Sequence, residues 1–157
     1  RELGGLSLEV IFAPGHTAGC IALYVPEREA LFTTDTVMAV STTSISPEHG
    51  NLAQYLQTLC LLQGVEARIM YTGHGGPVKN PAHRLDALIR PRHERETALL
   101  DALGDGPQTP FQLRQRVYAG LPKARERLAE RQIVTMLQKL SDEGAVHEEE
   151  GDRFALT

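Results

Sequence analysis

Three short apolar runs in this 157-residue chain end in the same kind of punctuation, a tight glycine- or threonine-rich turn carrying a side chain of metal-ligand type. "LSLEVIF" runs into "APGHTAGC" with His16, "ALF" into "TTDT" with Asp35, and "RIMY" into "TGHGGP" with His74. Such a chain must place strands so that their ends, and the polar groups on them, face open space. A histidine between Gly15 and Thr17 sits on a turn just outside a strand, where it points at a ligand more readily than it packs as core. Glycines at 15, 73, 75 and 76 let the backbone turn sharply and leave room beside it. Imidazole nitrogen and carboxylate oxygen are donors for zinc, and also for iron or manganese, and donors on loops after strand ends can converge above one sheet edge. His16, Asp35 and His74 are therefore the candidate metal ligands. The plainer alternative makes the two histidines turn residues and Asp35 an Asx-turn or helix cap. Coincidence at three strand ends weighs against it.

The remaining pattern predicts an α/β (α+β) layer structure. Leu6 to Phe12 alternates apolar and polar residues as a half-buried strand does, and the pattern repeats in Cys20 to Val25 and Ala30 to Phe32 around the turn "PERE". After a Ser/Thr-rich loop from Ser41 to Ser46, Leu52, Leu56, Leu59 and Leu62 fall at helical spacing, with Gly64 as a stop, and Arg68 to Tyr71 forms another strand. From Pro81 the chain turns helical and more charged, as two stretches interrupted or kinked at Pro91. Thr109 with Pro110 behind it opens a short helix, and Arg125 to Asp142 forms a longer one, with Ile133, Leu137 and Leu140 on one face and Gly144 as its stop. "AVHEEEGDRFALT" alternates around Gly151-Asp152 as a hairpin does. Three helices and a terminal hairpin make a small winged-helix module, so the predicted domains are 1–90 and 91–157.

Charge excludes some classes of partner. The net charge is -4, with no long single-sign block of the kind that marks a nucleic-acid arm or polybasic anchor. Residues 90–157 hold 11 basic and 12 acidic side chains, and the wing itself reads "HEEEGD", which argues against strong DNA binding. Ahead of Arg90 there are five basic residues against eight acidic ones, whereas phosphodiester cleavage favours a basic mouth. No apolar run reaches the ~18 residues of a membrane span, and a cytoplasmic location is expected. Cys20 and Cys60 lie in apolar periodic runs and read as buried reduced thiols. His49, His83 and His147 read as solvent-facing, and His93 as a weak candidate for the site mouth. The Ser/Thr loop is open as a substrate contact.

"PGHTAGCIALYVPEREALFTTDTV" followed by "IMYTGHGGPV" resembles the second half of a metallo-beta-lactamase-fold hydrolase. The "NLAQYLQTL" and "RPRHERE" helices and the winged tail narrow the resemblance to the beta-lactamase-like protein 2 subfamily of metal-dependent single-strand endoribonucleases, with related thioesterases and glyoxalase-type hydrolases. It covers nearly the whole chain. It implies the C-terminal half of an αββα sandwich followed by a winged-helix domain, and two divalent metal ions, in the first place zinc. His16 would complete the histidine set of one ion, His74 would ligate the other, and Asp35 would bridge both as the catalytic carboxylate. Thr34 stands where the family usually has glycine and is expected to crowd the loop. The H-x-H-x-D-H motif that supplies the other four ligands is absent, and is expected before Arg1, in a missing N-terminal half of the same domain.

Two functions follow. The first is a metal-dependent hydrolase acting through metal-activated water on a small thioester or ester, or on single-stranded RNA. The second is a winged-helix module that binds nucleic acid or protein on a non-catalytic lactamase-like scaffold. A homodimer is compatible with either, and no membrane partner is expected.

Overall fold

The computed structural model describes residues 2–157, which form two compact units: residues up to 45 with 49–90, and residues 46–48 with 91–157. In the first unit, β1 (Glu2–Leu3) and β2 (Leu6–Ser7) form a small antiparallel ribbon. A four-stranded sheet follows, ordered β3 (Glu9–Phe12), β4 (Ile21–Val25), β5 (Ala30–Thr34), β6 (Ile69–Thr72). The single strand expected over Leu6–Phe12 is thus two. Gly4 and Gly5, at φ +58° and +82°, turn β2 back on β1, and the chain must leave that ribbon to enter the sheet. The first three strands of the sheet pair antiparallel, with a 3₁₀ turn at Pro26–Arg28 between β4 and β5. β5 and β6 pair parallel, which requires a crossover, and α1 (Leu52–Gln63) lies in it.

The register sorts the sheet's side chains by face. Tyr24, Leu31 and Met70 align across β4, β5 and β6, and Leu31 and Met70 are fully buried. With Ala22 and with Tyr55, Leu59 and Leu62 of α1 they form the interior of this unit. On the opposite face Val10, Leu23, Phe32 and Tyr71 align across all four strands, and Phe12 lies opposite Ile21. That face is open: Val10 and Phe12 keep 60% and 63% of their surface accessible, and Phe32 stacks on Tyr71 at 4.9 Å. The thiols depart from expectation. Cys20 is half-buried and Cys60 exposed, because Cys60 falls on the flank of α1 away from the buried Tyr55, Leu59 and Leu62 stripe.

Helix α2 (Pro81–Leu103) runs unbroken through Pro91, so of the two alternatives expected there the interruption does not occur. In the second unit its later residues are joined by α3 (Pro110–Val117), α4 (Lys123–Asp142) and the hairpin of β7 (Val146–Glu149) with β8 (Arg153–Leu156). Helix α4 buries Ala129, Ile133, Met136, Leu137 and Leu140. Lys139 sits among these apolar neighbours with its ammonium 2.9 Å from Glu96 and 2.8 Å from Glu143. Burial alone would lower its pKa, but the two carboxylates outweigh burial and leave it raised.

Thr109 and Gln112 form a reciprocal capping box at the start of α3, with Pro110 in its first turn. Thr109→Ala removes one arm of the box and should cost about 1 kcal/mol of stability, read as a lower urea midpoint at constant slope.

Candidate metal centre

Strand direction places the three candidate ligands at one sheet edge. β4 runs opposite to β3 and to β5, and β6 runs with β5, so β3, β5 and β6 point the same way. His16, Asp35 and His74 each lie just beyond the C-terminal end of one of these strands. Asp35 and His74 follow neighbouring strands, whereas His16 follows a strand two positions away.

The Asp35–His74 pair is built by glycine. His74 Nε2 lies 3.3 Å from Asp35 Oδ1, with both side chains substantially open to solvent. A Cβ on Gly73 would stand 2.2 Å from that same Oδ1 and 2.9 Å from the Thr34 carbonyl, so only glycine admits this approach. The Gly73 N–H donates to the Thr34 carbonyl at 2.7 Å. The His74 carbonyl accepts from the Thr72 hydroxyl at 2.9 Å and from the Ala39 N–H at 3.1 Å, and paired Met70–Val78 backbone bonds close the base of the turn.

His16 is held by its backbone and by one ring nitrogen. The Gly15 carbonyl accepts from the Asn51 N–H at 2.9 Å, and the Thr58 hydroxyl donates to the Pro14 carbonyl at 2.7 Å, which seats the loop on α1. Nδ1 of His16 lies 3.1 Å from the Ser44 carbonyl oxygen. A carbonyl can only accept, so Nδ1 is the donor, and in the neutral ring the lone pair is left on Nε2. That is the tautomer of a metal-ligating histidine oriented from behind by a backbone carbonyl.

The donor set suits a divalent ion. Two ligands on one tetrahedral ion with bonds of ~2.0–2.2 Å are about 3.3–3.6 Å apart, the spacing seen between Asp35 and His74. Among the described residues, no three His, Cys, Asp or Glu side chains gather closely enough to hold one ion, so Asp35 and His74 are brought together and His16 does not complete a triad with them. His93, along with His49, His83 and His147, is exposed.

Three supporting residues were not apparent as such from composition. The hydroxyl of buried Thr43 lies 3.1 Å from the carbonyl oxygens of both Asp35 and Thr36. Arg84 on α2 donates from Nε to the Met38 carbonyl at 2.9 Å and from its guanidinium to the Ser41 carbonyl. The Ser/Thr loop, left open from sequence as a substrate contact, is tied to the Asp35 backbone through Thr43 and to the His16 ring through the Ser44 carbonyl. The third residue is Thr34. Its φ of +47° is left-handed, a conformation that costs an L-residue about 1–2 kcal/mol. The expected crowding at Thr34 is thus backbone strain, since its side chain is exposed. The sequence signal for it was a threonine where the family usually has glycine, immediately before the carboxylate.

The metallo-beta-lactamase superfamily profile matches residues 1–96, more than half of the chain. The chain belongs to that superfamily. In this superfamily member a beta-lactamase associated winged helix domain matches residues 109–153. The beta-lactamase-like protein 2 homolog of Caenorhabditis elegans is 28% identical over 96% of this chain and 50% of its own length. Atrochrysone carboxyl ACP thioesterase of Aspergillus fumigatus is 31% identical over 75% of the chain and 40% of its own length. A crystal structure of a metallo-beta-lactamase family protein from Thermus thermophilus superposes with a TM-score of 0.78 at 28% identity, covering 100% of this chain and 52% of the other. A beta-lactamase domain protein from Burkholderia ambifaria gives a TM-score of 0.86 at 21% identity, covering 100% and 50%, a likeness of fold. The chain spans about half the length, or less, of these curated relatives. Among the described residues, no helix is long and apolar enough to cross a membrane.

Proposed function

We propose that this chain carries the C-terminal part of a metal-dependent hydrolase site, acting through metal-activated water on a thioester. The observation that carries the reading is the Asp35–His74 pair, 3.3 Å apart, with a glycine at 73 that no other residue could replace. His16 and His74 would hold separate divalent ions, zinc by the chemistry of these nitrogen and oxygen donors, and Asp35 would bridge them. A bound divalent ion supplies Lewis-acid polarisation of the scissile carbonyl and a water acidified to near neutrality. The chain's own residues hold the donors in place: Ser44 selects the His16 tautomer, Thr43 anchors the Asp35 backbone, and the Thr72 hydroxyl and Ala39 N–H fix the His74 turn.

Thioester is favoured over phosphodiester on two grounds. Residues 1–89 carry five basic against eight acidic side chains, a poor setting for a polyanion. A relative 31% identical to this chain is named as an acyl carrier protein thioesterase. The open apolar face of the sheet, with Val10, Phe12, Phe32 and Tyr71, is suited to burial against a second sheet, and the N-terminal half of the same domain is its proposed cover.

The test is hydrolysis by the natural full-length protein of a short acyl thioester and of a single-stranded RNA, each with and without a chelator. Chelator-sensitive thioester cleavage well above RNA cleavage is the expected result. Chelator-sensitive cleavage of RNA alone would move the substrate to phosphodiesters. No chelator-sensitive cleavage of either would leave a non-catalytic scaffold with a winged-helix binding module.

A further inference from the structure

Thr34 joins all three arms of the site. The antiparallel register of β4 and β5 runs from Val25 opposite Ala30 to Leu23 opposite Phe32, and two residues further on it would set Ile21 opposite Thr34. The paired residues of β4 and β5 stop short of that position, the backbone at Thr34 turns left-handed, and on the other side of β5 the register with β6 shifts between Phe32 and Thr34. There the Thr34 hydroxyl donates to the Ile21 carbonyl at 3.3 Å. Ile21 is the first residue of β4, at the exit of the His16 loop. On its other side, the Thr34 carbonyl accepts the Gly73 N–H at 2.7 Å, one residue before His74. Asp35 is the next residue in the chain.

We infer that Thr34 is a positioning residue: its hydroxyl ties the end of β5 to the start of β4, and its left-handed backbone turns Asp35 toward His74. The inference rests on the metal-site reading for its consequence, but the geometry it describes can be measured separately. A threonine is suited to this because a hydroxyl one bond beyond Cβ reaches the Ile21 carbonyl, past the last paired residues of β4 and β5. Glycine would relax the strain and lose the tether; valine would keep shape and strain and lose the donor; serine would keep the donor.

The experiment compares Thr34→Val, Thr34→Ser and Thr34→Gly in the natural full-length protein by three readouts: Co²⁺ affinity from its visible absorption, amide hydrogen exchange at Gly73, and melting temperature. In Thr34→Val, Co²⁺ affinity should fall about tenfold, the ~1.4 kcal/mol of one hydrogen bond, and Gly73 exchange should accelerate by a similar factor. Thr34→Ser should restore both. Thr34→Gly should melt no lower than wild type while binding Co²⁺ about as weakly as the valine variant, since relief of a left-handed residue and loss of a tether act in opposite directions. Wild-type affinity and Gly73 protection in Thr34→Val would overturn the inference, as would affinity that merely follows melting temperature across the three variants. If wild-type protein binds no Co²⁺ in a manner dependent on Asp35, the metal-site reading fails. Gly73 exchange then decides by itself: acceleration in the valine but not the serine variant upholds the positioning role, and no change overturns it.

Discussion

On the proposed hydrolase reading, Asp35→Ala in the natural full-length protein should lower metal-dependent turnover by about 10³-fold, ~4 kcal/mol of barrier at ~1.4 kcal/mol per decade, and leave the fold intact. The two halves of that expectation have separate causes. On the proposed reading the carboxylate would be shared by both ions, so its loss would disorganise the whole centre, and the structure already places it 3.3 Å from His74. The fold is spared because the side chain is 48% exposed and its local anchors are main-chain groups: the Thr43 hydroxyl meets the Asp35 carbonyl, and the Gly73 N–H meets the Thr34 carbonyl. Removing an exposed carboxylate from such a frame should change stability by no more than about 0.5 kcal/mol. Turnover within tenfold of wild type, measured beside an unchanged circular dichroism melt, would show that Asp35 is not a ligand. A melt lowered together with turnover would instead make it a structural residue.

The sheet and the winged module were legible because their signals are periodic. Alternation marked β4 and β5, leucines at helical spacing marked α1, and the cap-then-proline pair at Thr109-Pro110 marked α3. Asp35 and His74 were legible for a different reason: ligand-type residues at strand ends need no tertiary information to be noticed. What was not legible depends on backbone dihedrals and on partners distant in sequence. Nothing local says that Thr34 is left-handed, that Arg84 caps carbonyls at 38 and 41, or that the Ser44 carbonyl fixes the tautomer of a histidine 28 residues away. The break in Leu6–Phe12 was hidden by an alternation that continues across it while the pairing partner changes from β1 to β4. Continuity of α2 through Pro91 likewise reflects tertiary packing overriding a local helix breaker: Leu85, Leu88 and Ile89 before it and Leu99, Ala102 and Leu103 after it are all buried.

The glycine that holds His16 sets the other large effect. Gly15 has φ +127°, and a Cβ there would lie 2.3 Å from Tyr55 Cα, 2.4 Å from Tyr55 N and 2.6 Å from Tyr55 Cβ. The two closest of these atoms are main chain in the first turn of α1, so no rotamer change relieves the clash, and either the loop or the helix start must move. Gly15 also accepts the N–H of Asn51, whose side chain caps α1 through the Gln54 N–H at 2.9 Å, so a displaced loop costs the helix a partner as well. Gly15→Ala therefore combines forced overpacking, ~1–3 kcal/mol, with a disfavoured backbone, ~1–3 kcal/mol, for a loss of about 3 kcal/mol or more. At ~2–4 °C per kcal/mol for a chain of this size, the melting temperature should drop by about 6–12 °C. Gly19→Ala is the control within the same loop, because a Cβ at Gly19 meets nothing within 4 Å and its φ is not positive. That variant should melt within a degree or two of wild type, at a cost no greater than ~0.5 kcal/mol. Equal melting of the two variants would mean that the loop is not seated on α1, and with it would go the main-chain support on which His16 stands.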